Sequence, residues 1–159
     1  MIKKIILISL TSLLFVGCAS VPMETSQKAN EARQFLPPSD GKAGLYIYRY
    51  GSFGAALKKD VWVDGECVGE TARNVFFYKE VSGGQEHKIS TESEFSPNDL
   101  ALKTDGGKHY FIKQYIKFGA FVGGAGLELV DEAEGKKQIQ TLGLATKGNC
   151  SQAQIKPEQ

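Results

Sequence analysis

From residue 44 onward the chain is a succession of short, apolar-alternating runs, each closed by a glycine, asparagine or aspartate turn signal. Alternation with period two marks strands with two different faces, and runs this short cannot supply a core helix. Leu45-Tyr46-Ile47-Tyr48-Arg49-Tyr50 opens the series, with residues 51–56 as a glycine-containing loop. Val61-Trp62-Val63 meets Asp64-Gly65, a strong hairpin signal because a type I′ turn needs φ > 0 at both central residues, and Glu66-Cys67-Val68 returns. Further strands are expected at residues 75–81, 87–91, 100–104, 109–118 and 127–130. Four glycines within residues 119–126 predict a bulged or bent connection. Residues 131–142 fit a short helix, with Asp131, Glu132 and Glu134 at its start and Lys136 and Lys137 later, as the helix dipole prefers; Gly135 counts against it. The expected fold is all-β, a small antiparallel β-sandwich with a short C-terminal helix.

The N-terminus has a different texture. Lys3 and Lys4 precede a mostly apolar run over residues 5–16, followed by Phe15-Val16-Gly17-Cys18. This is the layout of a secretory signal, and the cysteine beside the cleavage point resembles a lipobox, with Phe15 where leucine is common. Cleavage after Gly17 leaves Cys18 to carry a diacylglycerol thioether and an acylated amine. A spanning helix needs roughly 20 apolar residues, whereas Ser9, Thr11 and Ser12 interrupt a shorter run here. A cut after Gly17-Cys18-Ala19, giving an unlipidated protein, is the other reading. One acyl chain binds a bilayer only marginally, but two or more hold it stably. Ala19 after the cysteine resembles the pattern in Gram-negative lipoproteins released to the outer membrane. The expected organisation is a signal peptide over residues 1–17, a lipidated tether over 18–41 with Pro22, Pro37 and Pro38, the sandwich over 42–147, and a loose tail over 148–159. Within the tether, residues 24–34 fit a short helix, with Phe35 and Leu36 docking onto the domain beyond it.

Loss of residues 1–17 removes two of the 19 basic side chains and leaves 18 acidic ones, a net charge of −1 on 142 residues. That balance excludes a nucleic-acid partner, which calls for a basic face. With Cys18 lipidated, Cys67 and Cys150 are the two remaining cysteines. In an oxidising compartment they form either a disulfide or one buried and one exposed thiol. A loop of that length closed by a disulfide is worth about 4–5 kcal/mol in the chain-entropy model.

Motifs for catalysis are missing from the sequence. There is no Gly-x-Ser-x-Gly, His-Glu-x-x-His or phosphate loop. His87 and His109 stand in separate predicted strands, with no cysteine or second histidine at ligand spacing. Glu128, Asp131, Glu132 and Glu134 read as a solvated helix start before a Ca²⁺ or acid–base site. No cofactor or metal is expected, and the chain is not expected to be an enzyme. Tyr46, Tyr48 and Tyr50 share one strand face, as do Phe111, Lys113, Tyr115 and Lys117. The second set forms either an outward binding face for a glycan, a peptide or another envelope protein or ordinary cross-strand aromatic packing.

Gly41-Lys42-Ala43-Gly44-Leu45-Tyr46-Ile47-Tyr48-Arg49 resembles the opening of the small bacterial lipoproteins grouped as the DUF2846 family. Val61-Trp62-Val63-Asp64-Gly65 with Gly69-Glu70-Thr71, and residues 127–135, extend that resemblance over about residues 41–135. The middle stretch is similar to PEGA-type β-sandwich modules, with Gly84-Gln85-Glu86-His87 standing for their later turn but lacking the usual preceding proline. The resemblance implies a compact β-sandwich in the cell envelope and carries over no catalytic residues. The expected function is that of a lipid-anchored, non-enzymatic interaction or structural module on the periplasmic side of the outer membrane. The alternative is a carrier or sensor with a small apolar or sugar ligand between its sheets.

Overall fold

The computed structural model describes residues 19–92, 98–119 and 123–151. The predicted signal, Cys18 and residues 152–159 lie outside that set. Nine strands and two helices follow in chain order: α1 (Ser26–Ala32), β1 (Lys42–Arg49), β2 (Lys59–Val63), β3 (Glu66–Thr71), β4 (Val75–Ser82), β5 (Glu86–Thr91), β6 (Asn98–Lys103), β7 (His109–Lys117), β8 (Gly124–Val130), α2 (Glu132–Ile139) and β9 (Gly143–Leu144). The strands form a five-stranded sheet, β8-β7-β1-β4-β9, facing a four-stranded sheet, β3-β2-β5-β6. The smaller sheet is antiparallel throughout. In the larger one β1 runs parallel to β7, and β4 parallel to β9. The antiparallel β-sandwich expected from the sequence is present, with these two parallel pairings added inside its larger sheet. The stretch between β1 and β7 contains the whole smaller sheet, so the chain returns to β1 by a long crossover that permits parallel pairing.

Asp64 and Gly65 both take positive φ, 53° and 82°, as the primed turn between β2 and β3 requires. Alternation along β1 sends Leu45 and Ile47 into the space between the sheets, where Val61, Val63, Phe77, Ile89 and Ile112 meet them without solvent exposure beyond 1%. Arg49 follows on the same face and is buried. Its guanidinium donates to the carbonyl of Leu57 at 2.6 Å and to that of Gly54, bracing the loop after β1. Burial lowers its pKa from the ordinary 12.5, but a guanidinium stays charged at any physiological pH.

The other face of β1 is not open to water. Tyr46 and Tyr48, 2% and 0% exposed, join Phe76, Phe111, Ile139 and Leu142 in a second apolar layer, with Phe35 packed against it. The stacking is sheet on sheet with helices on the outer face of the larger sheet, so that sheet is covered on both sides. Gly135 makes the close approach of α2 feasible, since a Cβ there would lie 2.2 Å from Cγ of Phe111.

Within the expected loose segments, residues 19–41 and 148–151 are attached to the domain, and the rest lies outside the described residues. In the presumed tether Met23 bridges to Ala145, and the Glu24 N–H donates to the Leu144 carbonyl at 2.9 Å. α1 is seated with Ala29 buried and with Ala32 and Phe35 packed against the second apolar layer. In the presumed tail the Glu70 N–H donates to the Asn149 carbonyl at 2.7 Å, Cys150 is bonded to Cys67, and the Ser151 hydroxyl bonds Asp60 at 3.0 Å. β8 also begins at Gly124, three residues before the expected strand, because a glycine run can pair edge to edge when its partner, here β7, supplies the side chains.

His87 secures the primed turn from behind. Its Nδ1 lies 2.6 Å from Asp64 Oδ2 and its Nε2 2.8 Å from the Ser82 carbonyl. Both partners are acceptors, so only the imidazolium, with two N–H groups, satisfies both. Burial pulls the His87 pKa down, but the hydrogen bonds to Asp64 and Ser82 and the Asp64 charge outweigh it and hold it above 6.5. For Asp64, burial pushes the carboxyl up, and the His87 and Lys88 hydrogen bonds bring it below 3.8.

The ring's stabilising contribution is complete below pH 6.5 and is lost as pH rises through its folded value; that of Asp64 is complete above pH 3.8 and is lost on acidification. Thermal melts of the wild type should therefore show the highest midpoint between these limits and a decline toward pH 8. Asp64→Asn keeps a residue tolerant of φ > 0 and should flatten that alkaline decline; an equally steep decline in the variant would refute the pairing. A second expectation concerns α2. Gly→Ala in an exposed helix gains up to about 1 kcal/mol, but Gly135→Ala should cost about 1–3 kcal/mol by overpacking against Phe111, read as a lower denaturation midpoint.

Candidate functional site

α1 begins where Thr25, extended at its own φ and ψ, accepts a hydrogen bond from the Lys28 N–H at 3.3 Å. Lys28 pairs with Glu24 one turn back at 2.8 Å. The far end is pinned by Arg33, whose guanidinium donates to the carbonyls of Ile139 (3.3 Å) and Leu142, and by the Tyr46 hydroxyl donating to the Ala32 carbonyl at 2.7 Å. The chain then turns at Phe35, which holds φ at 51° while its ring lies 5.2 Å from that of Tyr46 and 6.0 Å from that of Phe111. Lys136 stands over the Phe35 ring at 5.3 Å, near enough for a cation–π contact. The strain of a non-glycine residue at positive φ is offset by this enclosure.

Between α1, the 36–37 segment and the outer face of β4 a cleft of about 410 Å³ remains. Its floor is the rings of Tyr46 and Tyr78, 4.8 Å apart between centroids, with Leu36 and Leu144 at the sides. Its rim is charged in both signs, by Glu24, Glu31 and Glu80 against Lys28 and Lys147. The Ser39 side chain first, then its backbone N–H, Tyr78 and Lys42, hold the Glu80 carboxyl below its ordinary 4.5 against the opposing effect of burial. Burial raises the Tyr46 phenol, and burial with the Glu80 hydrogen bond raises that of Tyr78, so both stay neutral donors. An aromatic floor with a mixed ionic rim favours stacking and hydrogen bonding of a flat or ring-shaped group. It offers no activated nucleophile.

The expected binding face does not survive as one surface. Phe111 is 1% exposed, buried under α2 and Phe35, because the helices cover that side of β7. Lys113 pairs with Glu128 across the β7–β8 ladder at 2.7 Å. Tyr115 is exposed, its ring where a Cβ on Gly126 would fall. Lys117 donates to Asn98 Oδ1 at 3.0 Å, on the facing sheet. Cys67 and Cys150 form the disulfide left open by the sequence, with 6.1 Å between their Cα atoms. Cys18 is outside the described residues, but its neighbour Ala19 donates its N–H to the Ala55 carbonyl at 3.1 Å.

Each candidate acid is engaged locally. Asp131 caps α2 through the Glu134 N–H at 2.9 Å, Glu132 is paired with Lys136, and Glu134 accepts from Gln138 at 2.7 Å. Burial, then the charges of Glu134, Glu128 and Asp131, push the Tyr48 phenol up to about 12. No group of three His, Cys, Asp or Glu among the described residues is arranged to hold a metal ion. His109 directs Nε2 at the carbonyls of Phe35 and Leu36, 3.2 and 3.1 Å away. The cleft itself was missed in the sequence. Phe35-Leu36 signalled a docking segment, but Leu144 and Lys147 lie on a two-residue strand and its exit, too short to show a period.

No solved structure matches the chain. An uncharacterized protein of Haemophilus influenzae (strain ATCC 51907 / DSM 11121 / KW20 / Rd) is 57% identical over 134 residues, covering 84% of this chain and 79% of that relative. The profile of a family described as a protein of unknown function, DUF2846, matches residues 39–125, from the turn before β1 into β8. With that match spanning both sheets, the chain belongs to the DUF2846 family.

Proposed function

We propose that this protein is a lipid-anchored module of the cell envelope, attached through Cys18 to the periplasmic face of the outer membrane and working by contact rather than by catalysis. The observation that carries the reading is the Cys67–Cys150 disulfide, which ties β3 to the end of the described chain. Such bonds persist in oxidising compartments, which agrees with an export signal ending at Cys18. The non-enzymatic part rests on how the polar groups are used. His87 braces a turn, His109 faces backbone carbonyls, and the carboxylates around α2 cap it or pair with lysines. None is turned toward a shared point where a reacting atom would sit.

A second reading, as a carrier or sensor of a small ligand, draws on the cleft beneath α1. The space between the sheets is filled by Leu45, Ile47, Phe77, Ile89 and Ile112, all at 0% exposure. A ring-shaped ligand such as a sugar would therefore sit in the cleft against Tyr78, with the buried Tyr46 ring beneath it. Proximity labelling from the native protein separates the two readings: a reproducible protein neighbour favours the first, and a copurifying small molecule lost in Tyr78→Ala favours the second.

The anchor has a direct test. Cys18→Ala should abolish incorporation of labelled palmitate and move the protein from the membrane fraction to the soluble periplasm. Persistent membrane association of the variant would refute the anchor.

A further inference from the structure

We infer that the end of the sandwich beside Cys18 is itself a membrane-contact surface, with Phe53 and Phe118 dipping into the headgroup region of the bilayer that holds the lipid. The inference rests on the anchor proposed above and adds an orientation to it. Because β1 and β7 are parallel, the loop after Arg49 and the exit from Lys117 emerge at the same end. There the ring centroids of Phe53 and Phe118 are 4.8 Å apart, edge to face. Phe118 is 90% exposed and Phe53 53%, while the aromatic rings of the second core are enclosed. Two adjoining phenylalanines left in water at one tip are costly unless something covers them.

The place of the chain's anchor says what covers them. Ala19 is hydrogen-bonded to Ala55, two residues from Phe53. Consecutive Cα atoms are about 3.8 Å apart, so Cys18 cannot be far from that tip. An acylated Cys18 thus brings the bilayer to the aromatic pair. Behind the apolar tip, Gly51-Ser52-Phe53-Gly54-Ala55-Ala56-Leu57, come Lys58 and Lys59, with Lys117 next to Phe118. Lys58 and Lys59 are held by Glu70 at 3.3 Å and Glu92 at 3.4 Å, so the tip meets the bilayer through its apolar side chains. The loop is braced for the contact. Arg49 holds it through the carbonyls of Leu57 and Gly54, and a Cβ on Gly54 would lie 2.7 Å from the Ile116 side chain, so the loop rests directly on β7.

The full lipidated chain, reconstituted in vesicles of phosphatidylethanolamine with a minority of phosphatidylglycerol, allows a test. Phe118→Trp and, separately, Phe53→Trp place an indole at the tip; Lys108→Trp places one at the opposite end, in the exposed turn before β7. The single native tryptophan, Trp62, is buried and gives a constant background. Both tip variants should shift to the blue on reconstitution and lose most of the added emission to phospholipids brominated near the headgroup, while Lys108→Trp does neither. Flotation of the vesicles reports the anchor independently. Chains that float with unquenched tip indoles overturn the membrane contact and leave the anchor standing. Chains that do not float overturn both. A blue shift that requires added envelope protein and is absent in pure lipid overturns the proposal in favour of a protein partner.

Discussion

Strand β1 is buried along both faces, and that double burial governs the rest of the molecule. A strand of an ordinary sandwich shows one face to the core and one to water. Here Leu45 and Ile47 belong to the inter-sheet core while Tyr46 and Tyr48 belong to a second one. The larger sheet must therefore be roofed, and among the described residues the roof comes from 19–41 and the segment around α2. Covering a flat aromatic surface with two short helices demands close approach, which Gly135 permits at Phe111 and which the turn at Phe35 completes. Tyrosine serves this layer because its ring fills the space while its hydroxyl reaches a backbone carbonyl, as Tyr46 does at Ala32.

Most of the strand pattern was legible in the sequence because it depends on local physics. The Asp64-Gly65 turn, the alternation in β1 and the short runs after it are all consequences of the pleat and of φ preferences. The two helices of the roof were legible, but where they sit was not. Phe111 shares its strand face with Lys113, Tyr115 and Lys117, so alternation suggests one exposed surface, and only the position of α2 divides it. Likewise α1 has a single buried residue, too little for any amphipathic signal. The parallel pairing of β4 with the two-residue β9 has no sequence signature at all. The cysteines stood between these cases: their number was plain, but whether Cys67 and Cys150 meet depends on where the last residues run.

The polar interior repeats the theme of local groups held by distant ones. Gln114 on β7 donates to Thr91 on β5 at 2.7 Å and accepts from Thr71 on β3, while Thr91 donates to the Asp60 carbonyl at 2.8 Å. The two Gln114 bonds cross between the sheets at the same end as Arg49, its register partner on β1. Buried polar groups with matched partners fix register more sharply than apolar contacts do. The end nearest Ala19 is thus polar inside and aromatic at its outer tip, whereas the opposite end is made of tight turns.

The pairing of Glu24 with Leu144 and of Met23 with Ala145 has a temporal consequence. Nearly the whole folded sequence separates these partners. The first element of the domain can find its place only when the last has been made. A ribosome that delivers this chain from its N-terminus holds an unroofed sheet until Leu144 and Ala145 are free. The aromatic layer on β1, β4 and β7 is then the surface that waits. A fold that joins its first described segment to β9 has that delay written into its topology.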